Sequence, residues 1–490
     1  MPDVAELIAR HAPWAALDRR WRLTPFEQFM WLDDRPDYPL VFEVVLRFAG
    51  EIDPRAMSGA WRFALARHPL LRATVVMEQG GPVWHAPAVG WRELAVTEAG
   101  SALSVDAPGG DVPGIDLERE AGLRGALRET AEGWSLALHF HHACCDGHGA
   151  RMFLQDLVLA YVVLREACDE EAPFFRVDAA LLDERGVHSG AGGTGASRLK
   201  KLRHTLRFAL RRPAPVAGDV PVSVRRTSRT GSRPSGGSAL GHRTHTFSAD
   251  EVAGMDAIQQ RFAATRNDIA IAMLFEVLAD WQRRRGLSPR TRMRVAVPTD
   301  LRSRADERMP AANRYTYVFL ERLLADCRDW QSSLPGLQRD FQERRQEGRG
   351  AQFLDALARV APFRRAMRWC LGRRTCFSTA VLTNLSDPSW RLRKRLPVDA
   401  EGLMWLDKAQ CLDIQIRTPP LRPGTCWGIG IFEYAGRMTL SFRYDSTVIS
   451  SAAADAIMAR YVSHWRALLA TAERGRGAPA EPPAAWSETP

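Results

Sequence analysis

His139-Phe140-His141-His142-Ala143-Cys144-Cys145-Asp146-Gly147-His148 closes a run in which Leu136, Leu138 and Phe140 alternate with other side chains. Alternation with a period of two predicts a strand with one apolar face. The strand then ends on paired histidines, an Asp-Gly turn follows, and a helix is expected to start near Gly149. Glycine at 147 suits a tight turn that demands positive φ, where a Cβ would be penalised. Histidine is the side chain whose unperturbed pKa lets it take and return a proton near neutrality, which moving an acyl group onto a hydroxyl or amine requires. His142, the second of the pair, is the candidate general base, with His141 beside it. Asp146, four residues on, can brace the imidazole or the loop, and can equally bond backbone amides or an arginine.

Three other readings of the cluster stand beside this one. The histidines could fill a structural corner. His139, His141, His142, Cys144, Cys145, Asp146 and His148 are all possible metal ligands. Structural zinc, however, prefers separated pairs such as Cys-x-x-Cys, and adjacent cysteines point in different directions, so no metal is expected. Cys144 or Cys145 beside a histidine could also serve as a nucleophile.

The 490 residues, 46% of them hydrophobic, suffice for two ordinary domains or one pseudo-duplicated unit with a sizeable core. The start, Met1-Pro2-Asp3-Val4-Ala5-Glu6, lacks the basic and apolar regions of a secretory signal, and no stretch reaches the apolar length of a membrane span. With 8 scattered cysteines, a reduced cytoplasmic protein is expected rather than a disulfide framework. The net charge of +10 gathers between Arg198 and Arg243 and in Arg364, Arg365, Arg368, Arg373 and Arg374. It is not spread like a nucleic-acid face with interleaved aromatics, so nucleic acid is not an expected partner. Basic excess also suits a phosphate-rich donor such as coenzyme A, or an acidic carrier protein, through long-range attraction.

Along the chain, Thr24 predicts a helix cap with Pro25 at the first helical position and the helix running on to Leu32. Leu40 to Phe48 reads as a strand, and Asp53-Pro54 opens a helix with Met57, Trp61, Ala64 and Leu65 on one side. Gly80-Gly81 marks a hairpin. Leu123 to Leu127 and Trp134 to Phe140 flank Glu132-Gly133, and the helix after the histidines carries Met152, Phe153, Leu157, Tyr161 and Leu164 at core spacing. Composition changes between about 179 and 244, where glycine-rich stretches bracket Arg198 to Arg212. There Leu199, Leu202, Leu206 and Ala209 could line one face of a basic helix lying on anionic lipid, or the segment could be a solvated linker. Ser248 to Glu251 is a capping box that opens a helix to about Ala264, Asn267-Asp268 opens a second helix, and Arg292 to Val297 and Phe377 to Asn384 are strands. Trp427 to Phe432 and Met438 to Tyr444 form a hairpin about Tyr434-Ala435-Gly436, before a final helix from about Ala452 to Leu469. The expected divisions are 1–180, a basic crossover 181–245, a second half 246–472 and a disordered tail 473–490.

His141-His142-Ala143-Cys144-Cys145-Asp146-Gly147 resembles the His-His-x-x-x-Asp-Gly signature of a large acyltransferase superfamily. It includes chloramphenicol acetyltransferases, condensation domains of peptide synthetases, plant BAHD acyltransferases, alcohol acetyltransferases and wax ester synthases. Arg67-His68-Pro69-Leu70-Leu71-Arg72-Ala73-Thr74 is similar to an early condensation-domain element, and Asn267-Asp268 to one of bacterial wax ester synthases. Asn313-Arg314-Tyr315-Thr316-Tyr317 also follows the superfamily's second half. Thr383-Asn384-Leu385-Ser386 resembles a Ser/Thr-Asn-x-Gly strand end, with Ser386 where glycine is often found.

The resemblance implies an α/β fold of two chloramphenicol acetyltransferase-like subdomains forming a pseudo-dimer with a central channel. It implies His142 as general base, Arg302 as the salt-bridge partner of Asp146, and no cofactor beyond the thioester substrate. The donor would be acyl-CoA or an acyl carrier protein, and the acceptor an alcohol or an amine. A donor near Thr383 and Asn384 could hold the oxyanion of a tetrahedral intermediate, and capping the strand end is the alternative role. A free-standing O-acyltransferase of lipid or secondary metabolism comes first. A stand-alone condensation enzyme and a non-catalytic carrier-protein-binding module are the alternatives.

Overall fold

A computed structural model describes residues 3–97, 112–166, 174–186, 212–220, 240–346, 349–372 and 376–476. The segment 198–211, on which the basic-helix expectation rests, and the tail from 477 onward lie outside the described residues; residues 473–476, expected in a disordered tail, instead extend the last helix, Ser451–Arg476. The described residues open with helix α1 (Val4–His11), strand β1 (Arg19–Arg22) and helix α2 (Pro25–Asp33). α2 starts where the sequence places it. The Thr24 hydroxyl accepts from the Glu27 N–H at 3.2 Å and the Glu27 carboxylate accepts from the Thr24 N–H at 2.8 Å, a reciprocal cap.

Strand β2 (Val41–Gly50), helix α3 (Pro54–Arg67), the hairpin β3 (Thr74–Glu78) and β4 (Gly81–Ala86), and the short β5 (Ala95–Thr97) follow. β6 (Leu123–Thr130) and β7 (Gly133–His141) then lead into helix α4 (Gly147–Glu166). After the crossover come β8 (Leu240–Phe247), β9 (Arg292–Asp300), β10 (Tyr315–Leu323) and β11 (Ala380–Ser386). β12 (Met404–Leu406), β13 (Ala409–Arg417), β14 (Trp427–Tyr434) and β15 (Arg437–Asp445) complete the strands among the described residues.

Two six-stranded sheets result, ordered β12-β13-β2-β7-β6-β5 and β10-β9-β11-β14-β15-β8, with a small sheet β1-β4-β3 at the side. α3 and α4 pack together over the first sheet. Their buried side chains include Trp61, Phe63, Phe153, Leu157 and Tyr161, each contributing about 1.5–3 kcal/mol if an aliphatic side chain is the guide. The helices Arg266–Arg284 and Ser451–Arg476 cover the second sheet, with Trp427, Tyr461 and Trp465 in its core. The fold is therefore α/β in two halves. Leu136, Leu138 and Phe140 are fully buried on β7, which accounts for the alternation in the sequence.

Some boundaries differ from expectation. The Ser248–Glu251 capping box forms, but its helix stops at Val252 and a second runs Met255–Phe262, ending on Ala263 at φ 45. The helix read from Asn267 is capped earlier, by Thr265 with Asp268. Residues 404–417, placed by sequence order with the second half, join the first sheet instead. β13 pairs antiparallel with β2 from Ala409↔Gly50 to Arg417↔Glu43. The halves are thus interleaved.

Candidate active site

β7 ends at the seam between the halves, so the histidine loop is held by both. The His142 N–H donates to the Leu40 carbonyl at 2.7 Å, and the Asn313 amide donates to the carbonyls of His142 (2.9 Å) and Ala143 (2.7 Å). The His142 ring lies 5.1 Å from Phe42 and 5.4 Å from Tyr315, centroid to centroid. It sits deep in the protein, yet part of its surface stays open because it faces two cavities. Burial lowers its pKa from 6.5, against the opposing pull of the backbone at His142 and Cys145 and of the Asp146 carboxylate. A neutral imidazole, able to accept a proton, is the form this environment favours.

His141 is fully buried and does different work. Its Nδ1 accepts from the Ala143 N–H at 3.1 Å, and its Nε2 lies 3.7 Å from Asp34 Oδ1. That same carboxylate oxygen accepts from the Leu40 N–H at 2.7 Å, so His141 and Asp34 together fix the strand end that grips His142.

Asp146 borders the more polar cavity, but its carboxylate oxygens are engaged by the protein. Arg302 forks onto it with bonds of 2.7 and 3.0 Å, and the backbone N–H groups of Gly149 (2.8 Å) and Arg314 (2.9 Å) donate to it. Burial by itself would raise its pKa, but Arg302 and the Arg314 N–H hold it below the usual carboxylate range. Asp146 is a positioning residue that ties the loop of one half to the other, and it has no hydrogen bond to the His142 ring.

Gly147 corrects an expectation. It lies outside the positive-φ glycines and opens α4 directly. Its small size serves packing, since a Cβ there would come 2.6 Å from Leu385 Cδ2. At Gly149 a Cβ would meet Cys145 Cβ at 2.9 Å, Ala312 N at 3.0 Å and Ala311 Cα at 3.1 Å. A leucine methyl can swing aside and backbone cannot. Gly149→Ala is therefore expected to lower stability by about 1–3 kcal/mol in denaturant unfolding, and Gly147→Ala by clearly less; equal losses would contradict this packing.

The remaining ligand-type side chains disperse. His139 Nε2 is 3.0 Å from Glu43, His148 lies 3.5 Å from Asp300, and Cys144 packs on Gly122. Burial pushes both Cys144 and Cys145 thiols well above their ordinary pKa, so neither favours the thiolate a nucleophile needs.

Two cavities meet at His142, Tyr315, Tyr317 and Pro420. One is walled by Phe29, Met30, Phe319, Phe353 and Phe377, with the bidentate Arg422–Asp33 pair on its lining. The other is larger and the more polar of the two: Arg151, His148, Asp300, Arg302, Thr383 and Asn384 share its lining with apolar side chains such as Phe42, Leu154 and Ile416. Asn384 Oδ1 accepts from the Ser386 N–H at 3.0 Å, leaving its amide NH2 as a donor, and Ser386 adopts φ 54, the conformation glycine takes most readily. Asn313, Tyr315 and Tyr317 had no assigned role from sequence. The period of two that puts both tyrosines on one face of β10 was the available signal, and a loop asparagine offers none.

No family model matches the chain. Over 312 residues it is 27% identical to the uncharacterized proteins MT2362 and Rv2305 of Mycobacterium tuberculosis, a match covering 61% of this chain and 65% of each relative. The match thus spans less than two thirds of those relatives.

Among solved structures it is similar to the trichothecene 15-O-acetyltransferase TRI3 of Fusarium sporotrichioides (TM-score 0.65, 13% identity, covering 92% of this chain and 95% of that one). It is also similar to the epimerization domain of the third module of tyrocidine synthetase B (0.64, 13%, 94% and 99%). A third is a mutant starter condensation domain of rhizomide synthetase RzmA in complex with C8-CoA (0.61, 15%, 92% and 95%). The chain has the fold of the condensation-domain and chloramphenicol acetyltransferase-like superfamily, with two such subdomains in one chain.

Proposed function

We propose that the protein transfers an acyl group from a thioester to a hydroxyl acceptor by direct attack, with His142 as general base. The observation that carries this is the placement of one imidazole, that of His142, where an aromatic cavity and a more polar cavity meet. Reactants held in the two cavities would meet beside this ring. The His142 ring takes the proton of the acceptor hydroxyl as its oxygen attacks the thioester carbon. The tetrahedral intermediate then collapses, the C–S bond breaks, and the imidazolium returns the proton to the departing thiolate. The amide of Asn384 and the hydroxyl of Thr383, on the polar wall, are the candidate donors to the oxyanion. The donor would be acyl-CoA or a carrier-bound thioester; the RzmA domain with C8-CoA supports the former. Since the same fold also hosts an epimerization domain, fold alone does not choose the reaction. Amide formation by a stand-alone condensation enzyme is the second reading, favoured by the condensation-domain neighbours.

The test is a panel of acyl-CoA and acyl-pantetheine donors with alcohol and amine acceptors, followed by thiol release. Thiol release that depends on the acceptor is expected. Because burial lowers the His142 pKa below 6.5, the base form persists at mildly acidic pH. The ratio kcat/KM should therefore be flat through neutrality and fall only as pH drops below that value; an acidic limb centred above it would remove His142 as the base.

A further inference from the structure

Residues 359–374 read RVAPFRRAMRWCLGRR and contain six arginines and no acidic residue. Within this strip the helix Arg364–Gly372 is fastened to the body from one side. It packs on α2, Met367 and Leu371 are buried, and Arg35 donates to the Leu371 carbonyl. Arg364 lies 4.8 Å over the Trp31 ring and reaches Met77 Sδ at 3.1 Å.

The opposite side carries large apolar groups into solvent. Phe363 is 67% exposed and Trp369 60%. Arg365, Ala366, Arg368 and Trp369, at helical spacing, share this outward face. Arg365 and Arg368 form no ion pair among the described residues.

A folded partner must offer matching pockets to protruding aromatics, whereas a bilayer interface accepts them without any. Aromatic rings interleaved with arginine are the composition that settles at the headgroup level, where the rings sit among acyl boundaries and the guanidinium groups meet phosphate. We propose that residues 359–369 form a docking face for membranes rich in anionic phospholipid, with Phe363 and Trp369 inserted and Arg365 and Arg368 paired with lipid phosphates. α2, against which this helix packs, contributes Phe29 and Met30 to the aromatic cavity, and the preceding helix Arg349–Val360 contributes Phe353. Docking therefore sets the wall of the apolar cavity beside the bilayer. The proposal stands apart from the acyl-transfer reading, since membrane binding needs no turnover.

Co-sedimentation of the full chain with vesicles of phosphatidylcholine alone, and of phosphatidylcholine with phosphatidylglycerol, tests it. Binding is expected only to the anionic vesicles and should weaken with salt. Arg365→Gln/Arg368→Gln should weaken partitioning about 30-fold, and the Lys/Lys pair should restore it. Phe363→Ser/Trp369→Ser should weaken it at least ~10-fold. All four side chains are exposed, so circular dichroism and Tm should not change. Absence of binding to anionic vesicles, or equal partitioning of wild type and both variants, overturns the proposal. So does capture of an acidic carrier protein, or a concentration-dependent dimer, that these variants abolish while vesicles go unbound.

Discussion

His142→Ala is expected to reduce acceptor-dependent thiol release by at least ~10²-fold, the low end for loss of a general base. The change is unusually clean. The bonds that hold this residue, to the Leu40 carbonyl and from the Asn313 amide, are made by its backbone and survive truncation of the side chain. The ring also borders open cavities, so its removal enlarges existing space rather than leaving a sealed hole. Unfolding midpoints of variant and wild type should therefore nearly coincide. Undiminished turnover in the variant would overturn the assignment, and turnover lost together with the fold would contradict the backbone account of how the loop is held.

The largest stability effect is expected at Arg302. Its guanidinium and the Asp146 carboxylate are each nearly buried, with side-chain exposures of 6% and 7%. Arg302→Met removes both strong bonds and leaves a charge in the interior facing only amide donors. A loss of about 3–5 kcal/mol is expected in denaturant unfolding. In Asp146→Asn/Arg302→Met no buried charge is stranded, so the double variant should be no worse than Arg302→Met and should recover part of the loss. If the two single losses simply add, the pair is not the coupled unit described here. Activity should fall as well, because the same carboxylate fixes the N–H of Gly149 behind the histidine loop.

What could be read from the sequence was mostly local. The alternation of Leu136, Leu138 and Phe140 specifies β7 because one face of that strand is wholly buried, and Thr24-Pro25-Phe26-Glu27 specifies its own cap. The position of His142 at a strand end follows from those patterns. Its surroundings do not. Asn313 lies 171 residues from His142 in the chain, and nothing in an asparagine preceding Arg314 announces which carbonyls it will reach. The pairing of Arg302 with Asp146 came from resemblance, since charge type alone leaves many partners open. Gly147 is ambiguous in the sequence for a related reason. Glycine tolerates both positive φ and close approach, and only the position of Leu385 shows that the second is in use. Residues 404–417 look like any strand pair, because alternation reports a buried face without saying which sheet supplies it.

That strand pair decides how the polypeptide could be cut. If it were expressed as two pieces divided within the crossover, the first piece would present β2 with a raw edge of unpaired amides and carbonyls, inviting indiscriminate association. Only the second piece carries the ribbon that seals it. Neither piece is then a self-sufficient folding unit, and recovery of a compact species on mixing, from fragments that precipitate alone, is the behaviour this exchange of strands imposes.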